Sequence, residues 1–254
     1  MIHIIGAGPG DPELITIKGR RAIDEADVIV YAGSLVNPDV LIGAKPSAVI
    51  YDSAKMDLDE VIDVMSRAEK NGLKVVRVHT GDPSIYGAIR EQMDRLDSLG
   101  IEFDVIPGVS SFLATAAVLK KEYTLPDVTQ TVILTRMEGR TPVPPKERLI
   151  ELAKHNSTMI IFLSVGFMDE LCSTLIEGGY TPDTPVAVVY KATWPDQKIV
   201  TGTLTDIALK VKDAGIEKTA LTVVGRFLGG EYSLSKLYDK HFTTGYRKAV
   251  DGAE

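Results

Sequence analysis

The sequence predicts an α/β protein of two tandem α/β domains, the first sheet mostly parallel and the second mixed. Three observations carry this. Through the first half, short β-rich runs alternate with helical patterns, the order of parallel strands joined by helical crossovers. At 120–128 the polar, proline-containing stretch Lys-Lys-Glu-Tyr-Thr-Leu-Pro-Asp-Val holds neither period. Beyond it the alternation resumes, but three or four β-rich runs then crowd together toward the end, which favours mixed pairing. The expected division is an N-terminal domain over 1–119, a linker over 120–128 and a C-terminal domain over 129–254. A chain of 254 residues, 44% hydrophobic and 25% charged, can bury two such cores.

In order, the first half reads as strand Ile2–Ile5, helix Ile17–Glu25, and strands Asp27–Tyr31 and Ala48–Tyr51, then helix Leu58–Lys70. In that helix Leu58, Val61, Ile62, Met65 and Ala68 share one apolar face, Asp57 caps the start, and Gly72 ends it in a left-handed turn. Strand Lys74–His79, helix Ala88–Leu99 closed by Gly100, strand Phe103–Ile106 and helix Ser111–Leu119 follow. The second half reads as strand Thr131–Thr135, a helix from Pro144-Pro145 to about His155, strand Met159–Leu163 and helix Met168–Glu177 stopped by Gly178-Gly179. Strands Val186–Tyr190 and Lys198–Gly202, helix Thr205–Ala214 and strand Ala220–Val224 complete it.

The charge balance, 28 Lys+Arg against 35 Asp+Glu for a net −7, argues against non-specific binding to nucleic acid or to an anionic membrane. Any acidic ligand needs a local basic pocket. One cysteine, Cys172, excludes an intramolecular disulfide and a multi-cysteine metal site, and it reads as a buried thiol on a helix. His3, His79, His155 and His241 show no metal-ligand spacing, so no metal site is expected. The longest apolar stretch, near 159–168, is far short of a membrane span, and the start carries no basic leader, so a cytoplasmic location is expected.

Three loops follow β-rich runs at the ends where open α/β sheets build ligand crevices. Gly6-Ala7-Gly8-Pro9-Gly10-Asp11-Pro12 lacks the sixth-position glycine of a dinucleotide fingerprint, and Pro9 and Pro12 remove amides that a pyrophosphate would use. Gly81-Asp82-Pro83-Ser84-Ile85-Tyr86-Gly87 carries a carboxylate that either bonds a ribose hydroxyl or amino group or caps the following helix. Ile106-Pro107-Gly108-Val109-Ser110-Ser111 brings hydroxyls to a helix start, where they bind a ligand or act as an N-cap. No Walker sequence, nucleophile elbow or kinase-type catalytic loop occurs. The loops suit a ligand that needs backbone carbonyls, hydroxyls and a carboxylate more than a phosphate cradle.

These three motifs, in this order and spacing, resemble the successive signatures of the S-adenosylmethionine-dependent tetrapyrrole methyltransferases. Residues 189–197 (Val-Tyr-Lys-Ala-Thr-Trp-Pro-Asp-Gln) and 220–226 (Ala-Leu-Thr-Val-Val-Gly-Arg) are similar to the family's C-terminal cofactor segments, so the resemblance covers nearly the whole chain. Within the family, Tyr31-Ala32-Gly33-Ser34-Leu35-Val36-Asn37 and the tail from Lys236 to Arg247 resemble the branch acting at C-11 of precorrin-4 or cobalt-precorrin-4. Sister branches act at other corrin positions, on uroporphyrinogen III, or on a protein side chain in diphthamide synthesis.

The resemblance implies two α/β domains with S-adenosyl-L-methionine bent into the cleft between them, S-adenosylhomocysteine as product, an acidic tetrapyrrole substrate and a homodimer. It places Pro9 in the first loop, has Gly81, Asp82 and Ile85 hold the methionine and ribose end, and adds contacts from Ser110 and Ser111. Leu163, Ala192, Ala220 and Leu221 would enclose the adenine; Leu163 stands where relatives often have methionine, and Ala192 where some have glycine. A sulfonium leaving group asks mainly for alignment and exclusion of water, so no catalytic triad is required, and no catalytic side chain is assigned. Arg20, Arg21, Arg90, Arg136 and Lys191 are candidates for the substrate carboxylates, each with a solvated helix face as the alternative. Trp194, the only tryptophan, either packs a ligand wall or anchors a domain interface.

Overall fold

The computed structural model describes Met1–Val250, and residues 251–254 of the expected second domain lie outside the described residues. The chain divides into two compact units. The first is Met1–Val118 together with Val189–Lys198; the second is Leu119–Val188 together with the chain from Ile199 onward.

The first unit holds strands β1 (Ile2–Gly6), β2 (Val28–Tyr31), β3 (Val49–Asp52), β4 (Val75–His79) and β5 (Phe103–Ile106), with helices α1 (Ile17–Glu25), α2 (Leu58–Lys70), α3 (Arg90–Ser98) and α4 (Ser111–Leu119). Its sheet order is β3-β2-β4-β1-β5, and every pairing is parallel. The central strands are apolar on both faces because both faces are covered. On one, Ile2, Val28, Val30 and Val75 pack against Val61, Ile62 and Met65 of α2 and Leu96 of α3. On the other, Ile5, Ile29, Val76, Val78 and Ile106 pack with Ile23 of α1 and with Val36 and Val40. Met65 is fully buried, and truncating such a side chain to alanine costs about 2–5 kcal/mol. β3 is the exception: Val49, Ile50 and Tyr51 on this edge strand are exposed.

Local chemistry sets the helix ends. Thr16 Oγ1 accepts the Gly19 amide at the start of α1. At α2, Asp57 accepts the Glu60 amide while Glu60 accepts that of Asp57, both at 2.9 Å, a complete capping box. Gly72 leaves the helix at φ 75°. The helix expected from Ala88 starts at Arg90, because Ala88 is itself left-handed, at φ 49°.

The second unit holds β6 (Val132–Arg136), β7 (Thr158–Phe162), β8 (Pro185–Tyr190), β9 (Lys198–Thr203) and β10 (Ala220–Val224), with α5 (Leu149–Ala153), α6 (Met168–Glu177) and α7 (Ile207–Asp213). The order is β6-β7-β10-β8-β9; β6 runs parallel to β7, and β10 antiparallel to it, so the sheet is mixed. The helix expected from Pro144 to His155 is split, since Arg148 is extended (ψ 141°) between a 3₁₀ turn at Pro145–Glu147 and α5. Cys172 on α6 is buried, and desolvation pushes its thiol up to about 11, the state of an inert core residue. Residues 120–128, expected as a linker, are packed into this unit. Tyr123 meets Phe227 edge to face at 5.2 Å, and its carbonyl accepts the Thr158 hydroxyl at 2.9 Å. No helix among the described residues is long and apolar enough to cross a membrane.

Candidate functional site

At the carboxyl ends of β4, β1 and β5, three loops meet backbone to backbone. Ala7 donates to the His79 carbonyl at 2.7 Å, and Gly8 and Gly81 exchange both hydrogen bonds at 3.2 and 2.8 Å. Contact this close tolerates no side chain. A Cβ on Gly6 would stand 2.4 Å from the Gly81 oxygen and 2.7 Å from the Gly108 Cα, and one on Gly108 would stand 2.2 Å from the same oxygen. The three glycines are therefore spent on joining the loops.

Asp82 holds the second loop to the third. One carboxylate oxygen accepts the Ser84 amide at 2.9 Å and the Ser84 hydroxyl, and the other accepts the Gly108 amide at 2.9 Å. Partial burial raises its pKa, but these donors outweigh the burial and hold the carboxyl below its usual range. The helix-cap alternative fails, since α3 begins eight residues later with no side-chain cap. A carboxylate that is held ionised this way is an acceptor and a poor proton base. Ile85 is half-buried in the same turn, its amide bonded to the Asp82 carbonyl at 3.3 Å. Ser110 is buried at the head of α4, its carbonyl taking the Leu113 amide at 3.0 Å, and Ser111 is partly exposed beside it.

The first loop is clasped from far along the chain. The Trp194 indole donates to the Pro9 carbonyl at 2.9 Å, and its ring lies over Gly10, where a Cβ would be 2.0 Å from it. Thr193 Oγ1 accepts the Asp11 amide at 3.0 Å, and Asn37 donates to the Gly10 carbonyl at 2.8 Å. Val189–Lys198 thus belongs with the first unit, and both Pro9 and Ala192 are buried there. Thr193 and Asn37 had no signal of their own as loop anchors, although both lie in segments that carry the family resemblance.

In the second unit, Leu163 follows β7 with φ 55° and is 67% exposed, a conformation disfavoured for leucine, with an apolar side chain left in solvent. Ser164 fixes the bend by donating to the Phe162 carbonyl at 2.7 Å and accepting the Met137 amide at 2.9 Å. Ala220, at the start of β10, is partly exposed, whereas Leu221 is 5% exposed and its side chain belongs to the core.

Most of the basic candidates already have partners. Arg20 pairs with Asp24, Arg90 with Asp94 and Lys191 with Asp196, while Arg136 donates to the carbonyls of Met137, Thr141 and Pro142 in its own loop. Lys191 also lies over the Trp194 ring at 4.8 Å. Arg21 is exposed. Among the described residues no group of three or more His, Cys, Asp or Glu is placed to hold a metal ion.

The donor set suits a nucleoside joined to an amino acid. Ser111 brings a partly exposed hydroxyl, Asp82 is partly exposed with acceptor capacity left, and Pro9 and Pro12 lack the amides a pyrophosphate would use.

Comparisons with known proteins agree. The family model of tetrapyrrole (corrin/porphyrin) methylases matches residues 1–208. A cobalt-precorrin-4 C(11)-methyltransferase of Methanocaldococcus jannaschii is 63% identical over 98% of this chain and 96% of its own. The X-ray structure of a cobalt precorrin-4 methyltransferase superposes with a TM-score of 0.88 at 49% identity, over 90% of this chain and 96% of that one. A uroporphyrin-III C-methyltransferase from Thermus thermophilus, solved with S-adenosylhomocysteine, superposes with a TM-score of 0.74 at 27% identity, over 89% of this chain and 92% of that one. This chain, with its parallel sheet and three glycine-bearing loops, thus belongs to the tetrapyrrole (corrin/porphyrin) methylases.

Proposed function

We propose that this protein transfers the methyl group of S-adenosyl-L-methionine to C-11 of precorrin-4 or cobalt-precorrin-4 in cobalamin biosynthesis. The observation that carries the reading is the junction of Gly6, Gly81 and Gly108, locked by Asp82, in a chain that is 63% identical to a cobalt-precorrin-4 C(11)-methyltransferase. When bound, the cofactor supplies a methyl group on a sulfonium. A ring carbon of the substrate gives the electron pair of the new C–C bond, and sulfur keeps that of the bond it loses.

The residues of the chain serve this by orientation. The rigid loop junction fixes the donor's amino-acid and ribose end, with Gly81, Asp82, Ile85, Ser110 and Ser111 as contacts and Pro9 lining the first loop. Alignment of this kind can supply about 7–11 kcal/mol of a barrier. Leu163 and Ala220 offer apolar surface suited to adenine, and Ala192 and Leu221, buried as they are, offer backbone. We infer a cytoplasmic location for the reaction. Association of two copies completes the reading, and the exposed apolar edge strand β3 supports it.

Incubation with S-adenosyl-L-methionine and with metal-free and cobalt-containing precursors, followed by mass spectrometry and NMR of the pigment, tests the reaction. One added methyl at C-11 is expected, and the preferred precursor states whether the substrate carries cobalt. Methylation elsewhere, or none, rejects the assignment. Light scattering tests the dimer.

A further inference from the structure

The face of β4 that looks onto α2 and α3 begins with Val75 and then presents Arg77 and His79, two polar residues on a face otherwise given to aliphatic packing. Arg77 is only 6% exposed and forms no ion pair among the described residues; Nε donates to Gln92 Oε1 at 3.1 Å and Nη1 to the Val30 carbonyl at 3.2 Å. Desolvation lowers its pKa to about 10, so it stays charged at neutral pH. His79, 5% exposed, gives it no counter-charge. Burial and the nearby guanidinium lower the imidazole to about 3, and Nε2 has no hydrogen-bond partner among the described residues. A buried guanidinium without a carboxylate is expensive, because its desolvation is not offset by a counter-charge. Its presence calls for a use.

The use lies one hydrogen bond away. Gln92, itself buried, receives Arg77 on its oxygen and donates Nε2 to the Ala88 carbonyl at 3.1 Å. Ala88 ends the second loop, and that end is held against its preferences. Tyr86 and Ala88 are left-handed at φ 54° and 49°, and a Cβ on Gly87 between them would fall 2.1 Å from the Pro83 carbonyl oxygen. Each left-handed non-glycine residue costs about 1–2 kcal/mol, so the turn needs fixed partners.

We propose that Arg77 and Gln92 are positioning residues for methyl transfer: the buried sheet guanidinium orients the Gln92 amide, which pins the Ala88 carbonyl and so sets the turn that presents Asp82 and Ile85. This rests on the reading of residues 81–87 as part of the cofactor site.

The test uses the full chain and S-adenosylhomocysteine, followed by calorimetry, with melting temperature and hydrogen exchange of residues 84–89 measured alongside. Gln92→Leu breaks both links. Gln92→Glu separates them, since an ionised carboxylate gains an ion pair with Arg77 but cannot donate to Ala88. The expected result for Gln92→Glu is a melting temperature equal to or above that of the parent, faster exchange at 84–89, and a Kd raised about tenfold, the scale of one lost hydrogen bond. Gln92→Leu should bind at least as weakly. Parent-like affinity in both variants, or a loss of affinity in Gln92→Glu that only follows a fall in melting temperature, overturns the proposal. If the parent itself gives no heat, the cofactor-site reading fails first.

Discussion

Asp82 and Gly108 are joined by a 2.9 Å bond from the glycine amide to the aspartate carboxylate, and this bond ties the loop after β4 to the loop after β5. Replacing Asp82 by Ala removes the acceptor of three donors, so a loss of about 1–3 kcal/mol in stability is expected, with a Kd for S-adenosylhomocysteine raised more than tenfold. Asp82→Asn should restore little, because its NH₂ would face either the Gly108 amide or the Ser84 amide. Because its folded pKa is depressed, the carboxylate stabilises the fold above the unfolded value, and that contribution is lost as pH falls through the folded one. Urea denaturation and calorimetry read both quantities; equal affinities in the three proteins would leave Asp82 a purely structural residue.

Gly6→Ala and Gly108→Ala should each cost more than about 3 kcal/mol, since the added carbon meets backbone that cannot move aside. Gly72→Ala is the control. Its φ of 75° is unfavourable for alanine, but nothing lies within 4 Å, so about 1 kcal/mol is expected. A similar small loss at all three sites would contradict the close junction.

Trp194 reports on the first loop directly, because it is the only tryptophan and its indole is bonded to Pro9. Its emission should shift or change intensity on titration with S-adenosylhomocysteine, and Trp194→Phe, which keeps an aromatic ring but loses the donor, should cost about 0.5–1.5 kcal/mol. Emission unchanged at saturating ligand would separate the clasp from the binding site.

His79 is held neutral by burial and by Arg77, with a folded value near 3 against 6.5 unfolded. Between those values the unfolded chain binds the proton and the native chain does not, so stability falls as pH drops from about 6.5, by up to about 1.4 kcal/mol per pH unit. Denaturation curves between pH 7 and about 5.5, above the unfolded values of the depressed carboxylates, should show this slope, and His79→Leu should flatten it. A slope unchanged in the variant would assign it to other groups.

Leu163→Gly should leave stability near that of the parent, because relief of the left-handed strain offsets glycine's entropy, yet weaken binding of S-adenosylhomocysteine by removing an exposed apolar surface. Parent-like affinity would remove Leu163 from the site.

The strands and longer helices were legible because burial imposes a period on them, as the shared face of α2 and its capping box illustrate. Segments governed by single bonds were not. Nothing periodic marks the extended Arg148 that splits one helix or the left-handed Ala88 that delays another. The glycine loops were visible as motifs, but their mutual contact is a tertiary fact, and so is the use of Asp82 as a cross-loop acceptor. Sequence offered Arg20, Arg21, Arg90, Arg136 and Lys191 as candidates for the substrate carboxylates, and the fold gives all but Arg21 a partner within the chain. Arg77 carried no motif, and its interest comes from burial beside neutral acceptors.

The clasp by Thr193 and Trp194 also bears on how the polypeptide is made. Val189–Lys198 leaves the ribosome only after all of Leu119–Val188, at about 5–20 residues per second. For several seconds the nascent first unit holds Pro9 and Gly10 without their indole cover, and the newborn enzyme passes through an interval in which its earliest loop is complete in sequence but not yet shut.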